Sequence, residues 1–384
     1  MEKRQKADIV FIRTIRLGSA DPRLIKEAAL LKQCGYKVII LAWDRDAKHK
    51  GKEIIDGICW TNFALKAPIA SPSVVFYYPI FWIWIFNKII SLRPGVIHAC
   101  NLDSALIAYL CWKLGLCGKF VFDIFDTFMF FVSHSNKRVS LKSHLFLKTI
   151  YALENYLFYV ADAGIIPSKT RGKLYTRFNQ KEIAVILNSP PDILRNLRKR
   201  ETVRKNRFSV TCAGNLHRGR GILELIKATR NLGVDLILAG LVLDHSILSE
   251  CKKHKHVKYL GILSYSDSLK LEATSDCLVA LYDPLTFALA CKFAEPQKIY
   301  EAMMLGKPII TNVKRDVIEG YRCGITVSYG NIDELRSAIK FLKENPKVAY
   351  EMGLNGRKAY EDCFNWSKQR EKLINTYRRL LNGA

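Results

Sequence analysis

Short apolar runs alternate with amphipathic stretches along this chain, and the alternation predicts strands and helices in turn. Ile9-Val10-Phe11-Ile12 reads as a strand, followed by a loop over 13–22 and a helix from about Arg23 to Cys34. Gly35-Tyr36 caps that helix, and Lys37 to Ala42 opens a second strand. Strand, helix, glycine cap and strand form a βαβ unit, the building block of a parallel sheet. Strands over 95–98 and 120–126 and helices over 104–114 and 144–160 continue the rhythm, and Val185 to Pro191 closes the first set. A second set opens at Phe208, with strands over 208–213, 234–240, 257–261 and 277–282 and a helix over 264–273. A late strand over 324–327, a helix over 333–343 and a closing helix to Leu381 complete it. A chain of 384 residues exceeds the size at which one core keeps growing. Two domains are therefore expected, 1–191 and 208–365, joined by a basic linker over 192–207 that includes Arg198-Lys199-Arg200. Residues 366–384 form the final helix.

The most apolar stretch is Val74 to Leu92, VVFYYPIFWIWIFNKIISL. Its uninterrupted apolar part is about 13 residues, below the roughly 20 a bilayer span needs, and Pro79 breaks it. A buried helix before the strand at 95–98 is the first expectation. The cluster of Phe76, Tyr77, Tyr78, Phe81, Trp82, Trp84 and Phe86 also suits a membrane interface.

The chain's candidate chemistry concentrates in ALACKFAEPQKIYEAMMLGKPIIT, residues 288–311. Ala-Glu-Pro turns from a loop into a helix over Gln297–Leu305, Gly306 offers a left-handed cap, and Pro308 stops the helix before the strand at Ile309. The helix N-terminus, with its free N–H groups and positive dipole end, can receive a phosphate. One turn on, the Glu301 carboxylate can accept hydrogen bonds from two vicinal hydroxyls, as on a ribose. The plainer alternative makes Lys298 and Glu301 a solvated i,i+3 pair.

This stretch resembles the donor-nucleotide motif of family 4 glycosyltransferases, retaining enzymes of the GT-B fold. Their pattern is Glu, seven residues, Glu-Ala-Met, two residues, Gly, then a Pro-hydrophobic strand. Glu301-Ala302-Met303, Gly306 and Pro308-Ile309-Ile310 match its second half. In the first half Phe293 stands at the earlier Glu position, with Glu295 the nearest carboxylate, and Pro296-Gln297-Lys298 is similar to a Pro-Asn-Lys variant. Further motifs follow the family's order. The first loop, holding Gly18 and Ser19, corresponds to one lying against the donor sugar. Asp123-Ile124-Phe125-Asp126 corresponds to an Asp-x-His-acid sequence, with Phe125 replacing the His and Asp126 keeping the acid. In GNLHRGRG, Gly214, Arg220 and Gly221 approximate a diphosphate-binding turn, with Arg218 as a second cation.

The resemblance implies α/β architecture of the GT-B type: two doubly wound Rossmann-like domains facing a cleft, with a C-terminal helix crossing back to the first domain. It implies a retaining transfer of sugar, of the hexosyl type, from a nucleotide-diphosphate sugar to a lipid-linked or surface-glycan acceptor. Arg220, Lys298 and Asp126 are then the catalytic candidates. Glu301, Glu295, Gln297, Gly214, Arg218, Gly18 and Ser19 are the donor-binding ones. No Asp-x-Asp-like motif stands in a suitable loop, so neither an essential metal nor another cofactor is expected. Within the fold the alternative is a nucleotide-sugar epimerase. Outside enzymes it is a non-catalytic basic binding or scaffold protein, favoured by Phe293 and Phe125.

Charge adds a partner. The formal net charge is +25, and residues 1–200 carry 31 Lys and Arg against 15 Asp and Glu. Such a field attracts polyanions, and since no nucleic-acid motif accompanies it, an anionic membrane surface is the expected partner. The eleven scattered cysteines, with no C-x-x-C pair, fit reduced thiols, and the eight histidines form no evident metal set. MEKRQKADIV passes straight into a strand, so no signal peptide is expected. The expected place is the cytoplasm, peripheral on the inner face of the membrane.

Overall fold

The computed structural model describes residues 7–15, 21–68, 71–125, 141–172, 175, 183–194, 207–285 and 296–382. Gly18, Ser19, Asp126, Phe293, Glu295 and residues 195–206 of the linker lie outside the described residues. The chain divides into two compact units: one contains the described residues through Leu187 and those from Gln369 on, the other Asn188–Lys368.

The first unit is built on β1 (Ile9–Arg13), β2 (Val38–Asp44), β3 (Gly51–Ile55), β4 (Ile58–Ala64), β5 (Val96–Cys100), β6 (Lys119–Asp123), β7 (Ala163–Ile166) and β8 (Ile183–Val185). They form one sheet in the order β3-β4-β2-β1-β5-β6-β7-β8, parallel except for the β3–β4 pair. That hairpin was not anticipated. Its turn is Asp56-Gly57, both at positive φ (50° and 74°), the backbone of a type I′ turn that Asp-Gly favours.

Helix α1 (Pro22–Gln33) starts at Asp21, whose side chain accepts a hydrogen bond from the Leu24 N–H. Against one sheet face pack α2 (Tyr78–Leu92), α3 (Leu102–Lys113) and α4 (Leu141–Val160). Phe81, Ile85 and Ile89 of α2, Ala105 and Ala108 of α3, and Leu157 and Phe158 of α4 share one core with Val10, Ile12, Ile97 and Phe120. Leu24, Ala28 and Leu31 of α1 are buried outside that cluster, on the other face.

The expectation of a buried helix at 74–92 needs correction. Pro79 sits in the first turn of α2 and begins the helix rather than interrupting it. Only the stripe of Phe81, Ile85 and Ile89 is buried, while Ile80, Ile83 and Ile90 face outward. The sequence is apolar on both faces, so its composition could not separate the two.

The second unit's sheet comprises β9 (Phe208–Ala213), β10 (Val234–Ala239), β11 (Val257–Tyr259), β12 (Cys277–Ala280), β13 (Ile309–Thr311) and β14 (Gly324–Thr326). It runs β11-β10-β9-β12-β13-β14, all parallel. Its helices are α5 (Ile222–Thr229), α6 (His245–Lys252), α7 (Tyr265–Thr274), α8 (Gln297–Leu305), α9 (Arg315–Gly320), α10 (Ile332–Glu344) and α11 (Pro346–Ala359). Of these α6, α9 and α11 were not foreseen. The last helix, α12 (Trp366–Asn382), belongs from Gln369 onward to the first unit. There Gln369 Oε1 accepts a hydrogen bond from the Leu187 N–H at 3.3 Å.

Candidate functional site

In the second unit the loops that leave the carboxyl ends of β9 and β12, with helix α8, bring together most of the described candidates. Ligands in open parallel sheets bind at that end. After β9 the chain turns at Gly214, where φ is 132°, and its N–H donates to Ala239 O at 2.9 Å. The neighbouring turn at Gly240 crosses so closely that a Cβ there would lie 1.9 Å from Gly214 O. A short 3-10 turn over Arg218–Arg220 and a left-handed Gly221 then start α5. The Arg220 guanidinium stacks on Tyr282, 4.1 Å from the ring centroid. Asn312 fixes the backbone of Tyr282 from both sides, accepting from its N–H and donating to its carbonyl (2.8 and 2.7 Å). Arg220 and Lys298 line one small depression with Cys212, Asn215 and Leu281. Burial pushes the Cys212 thiol up to about 11, so it stays a thiol.

Arg218 is not part of this group. Its guanidinium pairs with Asp244 at 2.7 Å and lines a different depression with Glu224, Asp283 and Tyr329.

Helix α8 runs over the residues expected of it, with Gly306 left-handed at φ 66°. Pro296 is the N-cap rather than the first helical residue, and no side chain caps the helix start. The Lys298–Glu301 pair exists, but it is not the solvated pair of the plainer alternative. Glu301 is 1% exposed and belongs to a buried trio: Lys298 Nζ lies 2.7 Å from Glu301 Oε2 and 2.7 Å from Glu272 Oε1. Gln297 Nε2 donates to Glu301 Oε1 at 2.8 Å and to the Tyr265 hydroxyl at 2.7 Å. The carboxylate's first two acceptor positions are thus filled by its own helix.

Two carboxylates around one ammonium cannot both be ionised cheaply. Burial, with Glu301 adding to it and Lys298 opposing it, raises the Glu272 carboxyl from 4.5 to about 7. The same carboxylates hold Lys298 firmly protonated despite its burial. Glu272 was missed in the sequence, although a signal was present. Tyr265, Leu269 and Glu272 are spaced four and three apart, which puts the carboxylate on the apolar face of α7.

The first unit holds a second polar cluster that sequence reasoning also missed. Arg23 and Glu27 of α1, His98 of β5, Asp123 of β6 and Tyr377 of α12 are all buried. The Arg23 guanidinium lies 2.7 Å from Asp123 Oδ1 and 3.2 Å from Glu27 Oε1. His98 Nε2 lies 3.3 Å from Asp123 Oδ2, and its Nδ1 2.6 Å from the Tyr377 hydroxyl. Burial and the Asp123 charge raise Glu27 to about 8, while burial and Arg23 lower His98 to about 4. Burial raises Asp123 as well, with Arg23 opposing it. At neutral pH Glu27 is therefore a carboxylic acid and His98 a neutral imidazole beside the Arg23 guanidinium. Glu27, His98 and Asp123 bring their ligand atoms within 4.8 Å of one another, but Arg23 already supplies the positive charge that a metal would bring. Phe125, at the position of the motif's His, packs under the guanidiniums of Arg13 and Arg23 (5.0 and 4.8 Å).

No protein-family model and no curated protein matches the chain. Solved structures do. Sucrose-phosphate synthase from Thermosynechococcus elongatus superposes with a TM-score of 0.77 at 15% identity, covering 98% of this chain and 100% of that one. HepE from Anabaena in complex with UDP-glucose gives 0.67 at 16% identity, covering 97% and 99%. An alpha,alpha-trehalose-phosphate synthase (UDP-forming) from Burkholderia xenovorans, in complex with glucose-6-phosphate, gives 0.69 at 11%, covering 97% and 99%. Identity this low carries the architecture and nothing finer: the chain has the GT-B fold.

Proposed function

We propose that the protein is a glycosyltransferase that takes a sugar from a nucleotide-diphosphate donor held by the second unit. The observation that carries this reading is the pairing of Arg220 with the uncapped start of α8 beside Lys298, at the carboxyl ends of parallel strands. That is a site for a diphosphate. The bound UDP-glucose and glucose-6-phosphate of structures with the same fold support a donor and acceptor of these classes.

In this reading Arg220 and the N–H groups of Gln297 and Lys298 stabilise the charge that grows on the leaving diphosphate as the glycosidic bond breaks. Lys298 adds to the local positive field, set by how much of its charge the two glutamates offset. Glu301 binds the ribose hydroxyls with the acceptor capacity its helix leaves unused, the Gln297 amide giving way on Oε1. Retention of anomeric configuration, a hexosyl group, and a lipid-linked or glycan acceptor follow from the family 4 resemblance. So do the roles of Asp126, Glu295, Gly18 and Ser19.

The test is a panel of nucleotide sugars, scored first by thermal stabilisation of the purified protein and then by sugar transfer. One donor should stabilise and be turned over. In calorimetric titration with that donor, Glu301→Gln should lose at least about tenfold in affinity, the worth of one hydrogen bond to a charged acceptor. Unchanged affinity removes Glu301 from the ribose. Stabilisation by no nucleotide sugar removes the donor site.

A further inference from the structure

Helices α2, α3 and α4 lie side by side over one face of the first unit's sheet. Trp82 Nε1 of α2 donates to Asp103 O of α3 at 2.9 Å, and the hydroxyls of Tyr109 and Tyr156 join α3 to α4 at 3.0 Å. Their inward stripes make the core, so their outward stripes should be polar, as on an ordinary surface helix. They are not. On the α2 side Phe76 is 79% and Ile83 64% exposed, with Ile80 and Ile90 on the same stripe by helical spacing. Leu110 and Leu114 at the end of α3, and Leu145 and Phe146 on α4, extend the exposed apolar surface. The segment Ser73–Leu92 is 20 residues long, and only 17% of its most apolar window is buried.

The charges on this layer are of one sign. Helix α2 has no acidic residue, α3 has only Asp103, and α4 has only Glu154. Asp103 is half-buried and accepts from the hydroxyls of Thr14 and Tyr78, while Glu154 is fully buried and accepts from Tyr175. Outward stand Lys88, whose ammonium lies over Trp84, and Lys113, over Trp112, with Lys148 on α4. Aliphatic and aromatic side chains with lysines at their margin, and no exposed acid, match a layer of hydrocarbon beneath anionic headgroups. The one-signed charge at its margin is what anionic headgroups complement.

We propose that the outward face of α2, α3 and α4 docks the protein on an anionic lipid bilayer. The helices lie in the plane of the interface and do not cross it. Phe76, Ile80 and Ile83 enter the acyl region, and the lysines meet the headgroups. The proposal is independent of the donor chemistry, because vesicle binding is read without any sugar nucleotide.

Co-sedimentation of the full chain with vesicles tests it, comparing phosphatidylcholine alone with an equal mixture of phosphatidylcholine and phosphatidylglycerol. Binding should require the anionic lipid and weaken as salt rises. Each of Lys88→Ala and Lys113→Ala should weaken it roughly fivefold at low salt. Phe76→Ser and Ile83→Ser should each cost roughly tenfold, and together should abolish the part that salt does not remove. Both apolar positions are exposed, so the variants should fold, which an unchanged circular dichroism spectrum verifies. Equal binding to both vesicles, or none to either at low salt, overturns the proposal. Resistance to alkaline carbonate extraction would show a spanning helix instead. A dimer that Phe76→Ser and Ile83→Ser convert to monomer would assign the face to a second copy.

Discussion

Replacing Glu272 by Gln tests the reading of the buried trio most sharply. In the native protein this carboxyl is raised from 4.5 to about 7, chiefly by burial, with Glu301 as the second carboxylate around Lys298. The folded state therefore holds a proton between pH 4.5 and 7 that the unfolded chain has released. Stability from this group is complete below about 4.5 and is lost as the pH rises through 7. A displacement of that size is worth about 3 kcal/mol. Glutamine stays neutral and still accepts from Lys298 through its carbonyl oxygen, so the variant keeps the low-pH arrangement at every pH. Wild type and variant should match near pH 4. At pH 8 the variant should be the more stable, by up to about 3 kcal/mol.

Amide hydrogen exchange in peptides covering 265–274 and 297–305 reads this locally. At each pH the intrinsic exchange rate is nearly the same for both proteins, so the ratio of protection isolates the carboxyl. Glu27 titrates in the same direction in the other unit and cancels in the comparison. The ratio should grow by about two orders of magnitude between pH 5 and pH 8. A ratio that does not change with pH would falsify the raised Glu272 carboxyl. A functional corollary follows. When Glu272 ionises, Lys298 is outweighed by two carboxylates, so donor affinity should fall as pH rises through 7 in the wild type and should not in Glu272→Gln.

Three further outcomes are expected. Arg220→Ala should lower kcat about 10²–10³-fold with a smaller loss of donor affinity, since the diphosphate charge it meets is largest in the transition state. A raised KM at unchanged kcat would make Arg220 an anchor only. Tyr377→Phe leaves the buried His98 Nδ1 without its hydroxyl and should cost about 1–3 kcal/mol in chemical denaturation; unaltered stability would count against the contact. Gly240→Ala places a Cβ 1.9 Å from Gly214 O at a φ of 129°, so it should cost at least about 1–3 kcal/mol and loosen the Arg220 turn, seen as a lowered melting temperature and weaker nucleotide binding.

The parallel sheets and helix α8 were legible because each depends on local spacing. Apolar runs of strand length and glycine caps mark β1, β2, β5 and β9, and Gly306 and Pro308 bracket the end of α8. The β3–β4 hairpin is encoded locally too, in Asp56-Gly57 between alternating residues, but it departs from the βαβ rhythm that precedes it. What sequence spacing does not carry is the direction of a charged side chain. Arg218 and Arg220 are two residues apart on one turn, and they end on Asp244 and on Tyr282. Glu272 and Glu301 are 29 positions apart and meet at one ammonium. A lone His in the run VIHAC, or a lone Asp in FVFDIF, looks like strand sequence, and only the fold places them against Glu27 and Arg23.

Each unit thus buries a cluster of charges, and burial costs both clusters several kcal/mol of desolvation that hydrogen bonds must offset. The two offset it differently, and the difference bears on function. In the first unit Arg23 lies between Asp123 and a protonated Glu27, His98 is neutral, and the Tyr377 hydroxyl of α12 meets its Nδ1. That cluster is sealed from solvent, which suits fastening the last helix to β5. In the second unit Lys298 stays 20% exposed on a depression it shares with Arg220. Its counter-charge changes near neutral pH, when Glu272 gains or loses a proton. Glu27, raised to about 8, gives the sealed cluster a carboxyl that also changes near there, so what separates the two clusters is access: Lys298 meets solvent and the Arg23 cluster does not. That access is what the proposed diphosphate site needs of the trio around Lys298, and its lack is what fits the Arg23 cluster to hold the fold.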